Sequence, residues 1–271
     1  MSIVRKHRRR KNRITILALS ITTVLLVGTA TVMNSHKNDG KTMIIKKNTH
    51  VKTDIVKNND VLSFPDYNQT TQKDDSGLLE VLNIDSNLVL VNKNRKLPDG
   101  YEPEDLVYPS IPLNGAVKEK TRMRSEAAKA LENLFAGALA DGNTLTAVSG
   151  YRSYDRQVAL YNQYLETRGE EWTKAYSAFP GTSEHQTGLS MDVSSPSFGN
   201  ALEVDFAETK EGKWLAEHAH EYGFIIRYPE NKQDTTEYHY EPWHIRYVGV
   251  DYANYLYTKD LALEEAMPSE K

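Results

Sequence analysis

An α+β fold is what this 271-residue sequence predicts, on three observations. A helical pattern covers 124–140, short β-type runs are scattered between 88 and 248, and the two kinds of segment do not alternate as parallel βαβ units would. The expectation is a small, mainly antiparallel sheet with flanking helices.

Taken in order, the chain begins with a basic tail over 1–13, where seven Lys and Arg side chains stand without an acid. Residues 14–33 follow as 20 uncharged positions, enough helix to cross roughly 30 Å of hydrocarbon. The cations before them predict a single-pass segment with the N-terminus inside and the rest of the chain outside. Gly28 and Ala30 leave open a cleaved signal segment, which would make the protein secreted. Residues 34–77 are rich in Lys, Asn, Asp and Thr without periodicity, and read as a flexible extracytoplasmic stalk. A folded domain is expected over 78–262, with a tail over 263–271.

Within that domain, Leu88 to Val91 suggest a strand, and Lys96-Leu97-Pro98-Asp99-Gly100 a turn. Pro103, Pro109 and Pro112 keep the next stretch irregular. The helix over 124–140 places Ala127, Ala128, Leu131, Leu134, Phe135 and Ala138 on one face, and Asp141-Gly142 stops it. A strand around 145–148 leads to a helix over 154–168. A further helix over 212–221, strands over 224–228 and 243–248, and a last helix over 251–259 complete the reading.

Setting the N-terminal basic cluster aside leaves 26 basic against 37 acidic groups, a charge of −11. That surplus of acid argues against nucleic-acid binding, which needs cations to neutralise phosphate. Cysteine is absent. Disulfides, thiolate ligands and a cysteine nucleophile are thereby excluded, so any metal site must use His and carboxylates.

The richest chemistry lies in Ser183-Glu184-His185-Gln186-Thr187-Gly188-Leu189-Ser190-Met191-Asp192-Val193. Leu189, Met191 and Val193 alternate with Ser190, Asp192 and Ser194, as in a half-buried strand. An extended chain would hold His185 and Asp192 roughly 23 Å apart. A hairpin at Thr187-Gly188 would bring them together, either as a hydrogen-bonded pair or as metal ligands. Glu241-Pro242-Trp243-His244-Ile245-Arg246-Tyr247 adds a second histidine on a strand pattern, with a bend at Pro242 that turns Glu241 towards the face of His244. Two imidazoles and one carboxylate suit a single catalytic Zn2+ with a position open to water, and Glu241 is then the candidate general base.

Ser-x-His-x-x-Gly-x-x-x-Asp at 183–192 followed by Glu-Pro-Trp-His at 241–244 resembles the VanY-like zinc D-Ala-D-Ala carboxypeptidases. Ser149-Gly150-Tyr151-Arg152-Ser153, Ala178-Phe179-Pro180-Gly181-Thr182, and Tyr222-Gly223-Phe224 with Arg227-Tyr228-Pro229 resemble them too, over about 85–260. The resemblance implies the hedgehog-like carboxypeptidase fold, zinc on His185, Asp192 and His244, and water activation by Glu241. It also implies a substrate contact from Arg152, supported by Gln157 and Ser183; a guanidinium suits a free carboxylate. The implied reaction releases the C-terminal D-alanine of a peptidoglycan stem peptide. An L,D-carboxypeptidase trimming tetrapeptides and a non-catalytic zinc-stabilised wall-binding module are the alternatives. His218 and His220 are expected on a solvated helix face, His239 in a loop, and Tyr151, Tyr240 and Trp243 either in the core or along a pocket.

Overall fold

The computed structural model describes residues 62–73 and 77–267. The basic tail, the uncharged segment 14–33 and most of the expected stalk lie outside the described residues. Among those described, no helix is long and apolar enough to cross a membrane.

Nine short strands and seven α-helices make up the described chain. In order they are β1 (Thr71–Lys73), β2 (Leu79–Val81), β3 (Arg95–Lys96), β4 (Leu106–Val107), β5 (Met123–Arg124), α1 (Ser125–Ala140), β6 (Thr146–Ser149), α2 (Tyr154–Arg168), α3 (Glu170–Tyr176), β7 (Ser190–Ser194), α4 (Lys210–His218), β8 (Phe224–Ile226), α5 (Gln233–Thr236), β9 (His244–Tyr247), α6 (Val250–Lys259) and α7 (Leu263–Ala266). The central sheet has the order β6-β7-β9-β8 with every pairing antiparallel, as the α+β expectation requires.

Two-residue periodicity sorts the sheet's two faces. Leu189, Met191 and Val193 and, on β9, Ile245 and Tyr247 point into the main core with Ala127, Leu131, Leu134 and Phe135 of α1. Burying each such side chain is worth about 1.5–3 kcal/mol, so the helix and sheet hold one another. The opposite face carries Ser190, Asp192, His244 and Arg246. Asp192 lies directly across from His244 in the β7–β9 register, and Ser190 across from Arg246.

Three expectations change. Leu88 to Val91 are buried but form no strand; the carbonyls of Asn87 and Val89 accept hydrogen bonds from Arg246, and that of Leu90 from Arg95, so guanidinium groups take the place of a strand partner. Residues 62–73, assigned to the stalk, are packed: Phe64 meets the rings of Tyr252 and Tyr255, Arg95 donates to the carbonyl of Tyr67, and β1 pairs with β2. The start of the expected tail is packed as well, since Leu263 and Met267 are buried and α7 sits on the second core cluster with Leu88, Leu90 and Leu256. The sequence reading missed both segments because each is short and takes its stability from distant partners.

Candidate active site

His185 reaches the sheet by a route other than the expected hairpin. Glu184–Thr187 form a single 3-10 turn that ends at Gly188 in the left-handed region, φ 69°. The Thr187 hydroxyl donates to the carbonyl of Glu184 at 2.6 Å and accepts from the Leu189 amide at 3.0 Å, so the turn closes on itself before β7 starts. His185 Nε2 then stands 3.4 Å from Asp192 Oδ2. The sequence predicted the proximity and not the turn that produces it.

On the other side, the His244 amide donates to the Glu241 carbonyl at 3.1 Å, which makes the bend expected at Pro242. It brings Glu241 Oε2 to 3.8 Å from His244 Nδ1, while the same nitrogen lies 3.1 Å from Asp192 Oδ1. Ligand atoms of His185, Asp192 and His244 all fall within 4.8 Å of one another, and all three residues are buried. The donor set, two imidazoles and one carboxylate with no thiolate, is the kind that takes zinc in three-ligand sites. His185 Nδ1 is 2.9 Å from the Gly150 carbonyl, which fixes the proton on that nitrogen and turns the lone pair of Nε2 towards Asp192. These residues fit a zinc ion.

The electrostatics separate the groups. Burial pushes His185 down to about 3, against the attraction of Asp192, so its ring is neutral. Burial also opposes a charge on His244, but hydrogen bonds to Asp192 and Glu184 outweigh it and raise that ring to about 9. Asp192 is held below the usual carboxylate range: burial opposes this, and the two histidines and Arg152 prevail. Glu241 is raised to about 7 by burial, reinforced by Asp192 and opposed by His244 and Arg152. A carboxylate poised near neutrality, with its side chain still 28% exposed, suits proton transfer to and from a bound molecule.

Arg152 precedes α2, whose first turn is capped by the Ser153 hydroxyl. Its own amide donates to the His185 carbonyl at 3.1 Å, and Nη1 donates to Gln157 Oε1 at 3.0 Å; Gln157 in turn donates to the Ala178 carbonyl at 2.7 Å. Arg152, Gln157, Ser183, Glu241 and the three candidate ligands line one cleft of about 780 Å³. All seven site residues expected from the sequence are therefore brought together.

Trp172 and Tyr176 of α3 form a cleft wall that the sequence reading missed, with Tyr176 stacked on His239 at 5.2 Å. Tyr240 and Trp243 join that lining, whereas Tyr151 is buried away from it. His218 and His220 stand elsewhere, stacked on Trp214 and Tyr257. Glu184 was also missed as a site residue: its carboxylate lies 3.3 Å from His244 Nε2. A usable signal was present, because Arg246 shares the buried strand face of His244 and a buried guanidinium requires an acid.

Comparison with known proteins agrees with this geometry. The VanY family profile, described as D-alanyl-D-alanine carboxypeptidase, matches residues 120–250. A Bacillus subtilis (strain 168) protein provisionally named as a carboxypeptidase, YodJ, is 44% identical over 254 residues, covering 92% of this chain and 93% of its own. The LD-carboxypeptidase LdcB, solved for its peptidoglycan recognition, is 47% identical with a TM-score of 0.70, over 74% of this chain and 95% of LdcB. A D,D-pentapeptidase VanY from a vancomycin-resistance cassette, solved with Zn(II), is 33% identical with a TM-score of 0.54, over 66% and 98%.

Proposed function

The chain belongs to the VanY family of D-alanyl-D-alanine carboxypeptidases, and from that membership we propose that it removes the C-terminal D-alanine of peptidoglycan stem peptides at the cleft holding His185, Asp192 and His244. The observation that carries this reading is the juxtaposition of that buried triad with Glu241 and Arg152 in one cleft.

His185, Asp192 and His244 would hold one zinc ion, which when bound supplies Lewis acidity that acidifies water and polarises a carbonyl. Arg152 receives the free carboxylate of the substrate, its guanidinium oriented from one side by Gln157 and leaving donors for a bidentate pair. Ser183, 3% exposed at the cleft wall, supports the peptide beside it. Glu241 takes the proton of the attacking water and returns it to the leaving amine of D-alanine; its carboxylate lines the cleft beside His244 with 28% of its side chain exposed, within reach of a bound molecule. A substrate in the wall calls for a cleft outside the cytoplasm, and the uncharged run 14–33 behind seven basic side chains supports a tether there, or secretion if that run is cleaved.

A second reading has one specific observation in its favour: the match to LdcB, 47% identical, exceeds that to the D,D-pentapeptidase, 33% identical. Under it the scissile bond joins an L-residue to D-alanine in a tetrapeptide. Incubating the zinc-loaded chain with pentapeptide and with tetrapeptide and measuring free D-alanine separates the two. Release from pentapeptide alone supports D,D-cleavage, release from tetrapeptide alone supports L,D-cleavage, and release from neither would sink the proposed function.

A further inference from the structure

The three largest wholly buried side chains of the described chain are arginines, Arg95, Arg227 and Arg246, an expensive arrangement that calls for a reason. Two of them converge on one carboxylate. Glu184 Oε1 accepts from Arg227 Nε and from Arg246 Nη1, both at 2.6 Å. Its other oxygen, Oε2, accepts from the Ser190 hydroxyl at 3.2 Å and faces His244 Nε2 at 3.3 Å. The ladder continues outward: Arg227 makes a second, two-pronged contact with Glu264 of α7 at 2.7 and 2.9 Å, and Arg246 binds the carbonyls of Asn87 and Val89.

A carboxylate clamped between two guanidinium groups can only accept. Nε2 therefore keeps its proton, so the neutral ring that a metal ion requires has its lone pair on Nδ1, the nitrogen that stands 3.1 Å from Asp192. We propose that Glu184 is a positioning residue for the metal site: it fixes the tautomer and ring plane of His244 so that Nδ1 faces the ion, while Arg227 and Arg246 fix Glu184. Glu184 does this for His244 as the Gly150 carbonyl does for His185, but with a charged acceptor, which also raises the basicity of the ring it holds. The inference rests on the proposed zinc site and adds to it a residue that touches neither ion nor substrate.

The test uses the full chain, wild type and Glu184→Gln, with zinc affinity measured by competition with a chromophoric chelator. A buried partner of this kind is worth about 10- to 100-fold in metal affinity, so Glu184→Gln should bind zinc at least tenfold more weakly. Nitrogen-15 spectra of zinc-loaded wild type should show a protonated, exchange-protected Nε2 on His244, and its proton should move upfield in Glu184→Gln. Equal zinc affinity in the two proteins, or a His244 whose Nδ1 carries the proton, overturns the inference. Should Glu184→Gln fail to fold, the wild-type spectrum decides alone. A wild-type chain that binds no zinc would remove the proposed function together with this inference; tight binding unaffected by Glu184→Gln would remove this inference only.

Discussion

Arg152 and His244 show how much of the chemistry depends on single atoms. Arg152 is enclosed, with burial pulling its pKa down and Asp192 opposing, yet it keeps its charge for a carboxylate partner. A hydrogen bond to a charged group is worth about 1.5–3 kcal/mol, so Arg152→Ala should lower kcat/KM about 10- to 100-fold without loss of zinc. Unchanged kcat/KM would take Arg152 out of the substrate site. The ring of His244 in the metal-free chain sits at about 9, above its unfolded value of 6.5. The sign follows: its ion pairs stabilise the metal-free fold fully below about pH 6.5, and that contribution is lost as pH rises through about 9. Zinc requires the neutral ring, so protons compete with the ion and apparent zinc affinity should climb between about pH 6.5 and 8.5. A flat affinity over that window would contradict the charge assigned to His244. The sequence disclosed these residues because their types are chemically rare in combination; it concealed Glu184, whose role appears only when Arg227 and Arg246 are seen to meet it.

At the scale of elements, the site depends on two local turns meeting across one strand pair. The β7–β9 register sets Asp192 opposite His244, and alternation along those strands was readable from Leu189, Met191, Val193 and Ile245. The turn feeding His185 into that pair was not, because a 3-10 turn and a hairpin reversal both need the same Thr-Gly pair. Gly188 can be tested directly. A Cβ there would meet Leu106 Cδ2 at 2.9 Å and Arg124 Cγ at 3.0 Å, at φ +69°. Gly188→Ala should therefore destabilise the domain by about 1–2 kcal/mol from backbone conformation alone, with crowding added, as read by denaturant unfolding. Wild-type stability in that variant would show that the left-handed turn is dispensable. The run 88–91 teaches a related lesson: it is apolar enough for a strand, but Arg95 and Arg246 claim its carbonyls.

Over the whole molecule, the polar face of the central sheet is tied to both ends of the described chain. Arg246 reaches the 87–89 backbone, Arg95 links that loop to Tyr67 and Thr70, and Arg227 reaches Glu264. Composition placed the domain limits at 78 and 262 because polar, aperiodic segments resemble linkers; the packing of Phe64 and Leu263 extends the packed unit past both. The central claim is that one zinc ion at His185, Asp192 and His244, with Glu241 as base, drives release of D-alanine. Its most direct measurement is a zinc titration of metal-stripped wild type and Glu241→Gln, following both bound metal and D-alanine released from stem peptides. Activity in wild type should rise to a plateau at about one equivalent, as a one-ion site requires, while Glu241→Gln binds the same zinc and turns over about 10²- to 10⁴-fold more slowly. Full turnover in stripped wild type, or in zinc-loaded Glu241→Gln, would contradict it.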